Sequence, residues 1–78
     1  MEIFIEDFIK KIEAEFDEME PGKLLPESNF REKFEWNSVN ALIIIALVNT
    51  EYDVTINADD LRTSVTVNDL FNIVKSRV

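Results

Sequence analysis

Cysteine and histidine are absent from this 78-residue sequence, and positive charge is scarce, with eight Lys and Arg against sixteen Asp and Glu. Without cysteine there is neither a disulfide nor a thiolate metal site. Without histidine the commonest side chain for acid–base chemistry and for metal ligation is missing. The net charge of −8 argues against nucleic acid or an anionic membrane as partner and for a basic protein surface. Long hydrophobic runs are lacking too. The most apolar stretch, Ile43-Ile44-Ile45-Ala46-Leu47-Val48, is short and flanked by Asn40 and Asn49, so it does not suit a bilayer span. Glu2, Glu6 and Asp7 run against an N-terminal signal peptide, and a cytoplasmic protein is expected. A chain of this length suits one domain, 1–78, that buries about 60–65% of its unfolded surface, so stability must come from packed apolar side chains. No nucleophile–base pair is evident, the lysines read as surface charges, and no enzyme activity is expected.

The acidity that remains is unevenly spread. Residues 1–20 hold eight acids and two lysines, and residues 37–52 hold Glu51 alone. From Glu2 to Met19, Phe4, Ile5, Phe8, Ile9, Ile12, Phe16 and Met19 recur at steps of three and four, which predicts an amphipathic helix with its phenylalanines in the core rather than in a ligand slot. Pro21-Gly22 is expected to end it. Residues 21–36 then form a long connection, packed down through Leu24, Leu25, Phe30, Phe34 and Trp36, with room for one helical turn from Ser28. Arg31 and Lys33 are either solvated or placed to meet a phosphate.

Asn37 is a favoured N-cap, which makes Ser38 the first residue of a second helix running to about Tyr52. Unpaired N–H groups at such a start favour negative charge, and a phosphate ester suits the position. Leu42, Ile45 and Val48 or Asn49 lie along one line of this helix and Val39, Ile43 and Ala46 along another. That apolar surface is wider than one buried stripe needs, so part of it is expected in solvent unless another element covers Ile43. Val54-Thr55-Ile56 alternates like a strand but has nothing to pair with, and a loop is expected. Asp59 to Thr63 predicts a short helix, whose paired aspartates read as first-turn acids rather than a metal site. Thr66 and Asp69 form a capping-box variant opening a last helix with Leu70, Phe71, Val74 and Val78 inward and Lys75 and Arg77 in its final turns. The fold class is all-α, with three longer helices and one short one after a long first loop.

The serine after a short polar residue and before an aliphatic one, Asn37-Ser38-Val39, resembles the acyl carrier proteins, whose usual signature is Asp-Ser-Leu. Trp36 resembles the Trp-Asp-Ser form of some stand-alone carriers. The resemblance extends over nearly the whole chain, through the acidic first helix, the long loop, Ile56, Leu61 and the Thr66-Val67 start of the last helix. It implies an acyl-carrier-like four-helix bundle, monomeric, in which Ser38 bears a 4′-phosphopantetheine arm, making the chain a phosphoprotein. The arm's thiol holds an acyl or aminoacyl group as a thioester for fatty acid, polyketide or related biosynthesis in lipid metabolism. The partners implied are a phosphopantetheinyl transferase, an acyl-loading ligase or acyltransferase, and synthase enzymes. Asn37, Val39, Ile43, Ala46, Ile56 and Leu61 become the expected partner face, and the space between the last three helices the shelter for cargo. In carriers Ile43, Asn49 and Thr50 take the places of acids, so this face is more apolar than is usual. The uncharged Asn37 leaves open a second reading, an unmodified interaction module that keeps the fold and lacks the arm.

Overall fold

A computed structural model describes residues 3–16, 22, 24–33 and 37–78, the side chains of Arg31 and Lys33 excepted. The described elements, in order, are α1 (Ile5–Glu15), α2 (Phe30–Lys33), α3 (Ser38–Tyr52), α4 (Ala58–Thr63) and α5 (Val67–Arg77). No strand occurs among the described residues; Val54 to Ile56 is the expected loop. The mostly helical small bundle agrees with the expected class, and α2 is the single helical turn for which the connection had room.

The first helix is shorter than its pattern suggested. Phe16 leaves helical geometry at φ −117° and ψ 101°, so α1 ends before Pro21-Gly22. Met19 and Pro21 lie outside the described residues, as do Phe34 and Trp36. Phe8, Ile9, Ile12 and Phe16 are buried as the stripe predicts, whereas Phe4 is exposed and Ile3 takes the buried place ahead of the helix. Phe4 is the residue before the helix, in extended backbone, so helical spacing no longer governs where its ring points.

The core joins α1, α3 and α5. The Phe8 ring sits 6.0 Å from Tyr52 and 5.6 Å from Phe71, both tilted, and Ile44, Val48, Leu70 and Val74 close around them. Each such side chain contributes about 1.5–3 kcal/mol on burial. Lys11 lies over the Tyr52 ring with its ammonium 5.7 Å from the centroid. The Tyr52 hydroxyl is buried and has no hydrogen-bond partner among the described residues. Burial first, and then Asp7 and Glu51, push its pKa up.

The long connection is strapped to the start of α5. Pro26 and Ser28 carbonyls accept the N–H groups of Asn68 (2.8 Å) and Val67 (3.1 Å), and Asn29 bridges Thr66 in antiparallel sense. α4 packs on α5 through Leu61, and Arg77 grips Asp60 bidentately at 2.6 and 3.0 Å while donating to the Thr55 carbonyl. Val78 is exposed rather than inward, because the helix ends at Arg77 and no described element covers the last residue.

Candidate functional site

The N-terminus of α3 is built from Asn37 as expected. Its backbone is extended, its side-chain oxygen accepts the Asn40 N–H at 2.8 Å, and its carbonyl accepts the Ala41 N–H at 3.0 Å. Ser38 and Val39, the first two helical residues, precede that ladder, and their N–H groups have no partner among the described residues. Ser38 is exposed. No acidic residue stands in the first turn of α3, whereas α1, α4 and α5 each carry at least one. The positive end of this fifteen-residue helix thus has no acid in its own first turn to offset it beside the Ser38 hydroxyl.

Of the residues assigned to a partner face, Asn37, Val39 and Ala46 are exposed and Ile43 is half-buried against the core. Ile56 and Leu61 are not on that surface. They are 2% and 1% exposed, part of the core beneath α4, which corrects their assignment to a face that enzymes touch. The physical reason is α4 itself: its capping and its tie to Arg77 fix it over α5 with Leu61 turned inward. Leu42 departs in the other direction. It is 64% exposed, as is Val39, although it is not among the residues expected on the partner face. Spacing from Ser38 contained the missed signal, since a residue four positions on shares the serine's face. A shallow hollow between Ile43, Ala46, Leu47 and Thr50 of α3 and Glu15 of α1 continues this surface away from the serine.

Asp59 and Asp60 are first-turn acids, as read from the sequence. Asp59 pairs with Arg62 at 2.7 Å, and Asp60 completes a capping box with Asn57. No cluster among the described residues is suited to hold a metal ion. The hydrogen bonds from Arg77, then from the Asn57 N–H, hold the Asp60 carboxyl below its ordinary range. The side chains of Arg31 and Lys33, considered for a phosphate contact, lie outside the described residues.

An all-helical bundle that presents a bare serine at the open start of its most apolar helix defines a small carrier domain. A family profile described as Phosphopantetheine attachment site matches residues 7–74, and the chain belongs to that family. It is thus a phosphopantetheine carrier, of a kind generally without catalysis of its own, and 4′-phosphopantetheine is its covalent cofactor. Among curated proteins no match is found. The α3 start fits the group: an exposed hydroxyl, N–H groups without a partner among the described residues and a first turn free of acids suit a phosphodiester. Carriers of this kind generally interact with a phosphopantetheinyl transferase and with biosynthetic enzymes. Among the described residues no helix is long and apolar enough to cross a membrane.

Proposed function

We propose that Ser38 is the attachment point, and that residues 1–78 act as one monomeric, non-catalytic carrier domain for an acyl or aminoacyl thioester. The observation that carries this reading is the exposed Ser38 at the one long helix whose first turn holds no acid. In the loading step Ser38 Oγ loses its proton to the transferase and bonds to phosphorus. The pyrophosphate bond of coenzyme A breaks, and its nucleotide half leaves. The arm's thiol then supplies the thioester bond to cargo, in fatty acid, polyketide or related biosynthesis in the cytoplasm.

Val39, Leu42 and Ala46 are the contact surface for the transferase and the acyl-loading enzymes, with Ile43 at its edge and Asn37 beside the serine. Exposed aliphatics grouped next to a functional serine mark a docking surface, and Glu51 is the only charge from Asn37 to Tyr52. Ile56 and Leu61 line the apolar shelter beneath α4 instead. Leu42→Glu, at a solvent position, is expected to keep the fold and to raise the dissociation rate at least about tenfold, while salt slows association modestly through the acids of α1. Unchanged binding of Leu42→Glu by surface plasmon resonance places the contact elsewhere.

Intact mass after incubation with coenzyme A and a broad-specificity transferase tests the attachment. One arm is expected on the wild type and none on Ser38→Ala. An unshifted wild-type mass with several transferases supports the alternative of an unmodified interaction module, which the uncharged Asn37 favours.

A further inference from the structure

On the flank of α1 turned away from α3, Glu6, Ile9, Lys10 and Glu13 share a face, and the connection beside them encloses a groove of about 400 Å³. The opposite flank is the one engaged with α3, through Lys11 over Tyr52 and Glu15 beside Ile43. Ile9 and Leu24, both buried, make the apolar floor of the groove, and Leu25, 48% exposed, stands with Pro26 at its rim.

Both walls are pinned. The Glu13 carboxylate accepts the N–H of Gly22 at 2.8 Å and reaches that of Leu24 at 3.4 Å. Gly22, the one glycine of the chain, supplies the φ of +85° that this bend requires. Further along, the Leu25 N–H donates to Ser28 Oγ at 2.9 Å and the Pro26 carbonyl is tied to Asn68 of α5. Leu25 is therefore held in water by its own backbone rather than left there by slack. A rigid apolar groove needs little ordering when it is filled.

We propose that this groove is a second docking surface, for a basic protein segment that inserts one large aliphatic or aromatic side chain between cations. Charge selects the occupant. Glu6 and Glu13 bracket the Ile9 floor two helical turns apart with Lys10 the single cation on the α1 wall, and α1 as a whole holds Glu6, Asp7, Glu13 and Glu15 against Lys10 and Lys11. An apolar anchor fills the floor and its flanking cations meet Glu6 and the acidic helix. Because the groove and the Ser38 face lie on different helix flanks, one enzyme can hold the carrier here while another works at α3.

The probe is a short synthetic peptide with one Phe between pairs of Lys, titrated into the full ¹⁵N-labelled chain. Amide shifts are expected to gather at residues 9–13 and 22–26. Affinity is expected to fall about tenfold for Leu25→Ser, and equally when Ala replaces the peptide's Phe, but not for Leu25→Met, Leu42→Glu or Ser38→Ala. The alanine peptide reads the wild-type protein, so it decides the matter even where Leu25→Ser misfolds. Equal binding of the Phe and Ala peptides with shifts spread along α1 reduces the effect to bulk charge and overturns the proposal. So do shifts centred on Leu42, or saturation of the groove by decanoate alone, which marks it as a site for an acyl chain. None of these outcomes depends on whether Ser38 is modified.

Discussion

The starts of α3 and α5 are chemically alike in sequence and opposite in use. At α5 every early N–H is taken. Ser28 and Pro26 carbonyls accept from Val67 and Asn68, Thr66 Oγ1 accepts from Asp69 at 3.1 Å, and the Asp69 carboxylate reaches back to the N–H groups of Val65 and Thr66, both at 3.1 Å. At α3 Asn37 serves Asn40, and the residue at the Asp69 position is the neutral Asn40 in place of a carboxylate. A helix start that is closed by its own acid and by a neighbouring loop is structural. One left open, with a hydroxyl on its first residue, has capacity for an external anion.

The largest expected effect is on that open end. Ser38→Ala is expected to lose the whole mass increment of the arm while its thermal midpoint stays within about 1–2 °C of wild type, because an exposed hydroxyl with no bond among the described residues contributes little to stability. At the closed end the balance reverses. Thr66→Ala removes a cap and is expected to cost about 1 kcal/mol, a midpoint drop of about 4–8 °C by calorimetry, with modification rates unchanged. Loss of amide protection at Val67 and Asn68 in hydrogen exchange would show the strap loosening with it.

Acid separates the two ends further. The Thr66 and Val65 N–H groups hold the Asp69 carboxyl below the ordinary 3.8, as Arg77 and Asn57 do for Asp60. A carboxyl with a lowered folded-state pKa stabilises fully above its unfolded value and loses that contribution as pH falls through the folded one. The midpoint is therefore expected to fall as pH drops below the ordinary carboxylate range, with the amides of Asn57, Val65 and Thr66 shifting in parallel. The Asn40 amide, capped by the uncharged Asn37, is expected not to follow; if it does, the contrast between the helix starts fails.

Asn37→Asp sharpens the comparison by placing a charge at the open end. The helix gains about 0.3–1 kcal/mol from the macrodipole, and attachment of the arm is expected to be at least as fast as in wild type. A slower rate in a single-turnover transferase assay contradicts the view that the missing charge is a handicap. Smallest is the response to salt. Self-repulsion among the acids of residues 1–20 predicts that the midpoint rises slightly from low to physiological ionic strength, and a fall would contradict it.

The features legible in the sequence were local. Asn37 and the Thr66–Asp69 pair act on groups three residues away, so chain spacing alone discloses them, and the bounds of α3 agree with that spacing. The burial of Phe8, Ile12, Leu70 and Val74 is legible from periodicity for the same reason. Leu42 illustrates the limit. α3 is apolar nearly all round, so its pattern holds no phase, and which aliphatics face water depends on where α1 and α5 lie.

The sequence by itself thus determined where α3 and α5 begin, the caps at those two starts and the excess of acid over residues 1–20. Only the tertiary structure decided that Ile56 and Leu61 are interior, that Leu42 and Leu25 stand in water, and that Asp60 is held by a residue seventeen positions away in α5. Caps and periodicities involve neighbours along the chain, a few ångströms apart in any helix, whereas exposure and long-range pairing are set by how whole helices pack, which no local spacing encodes.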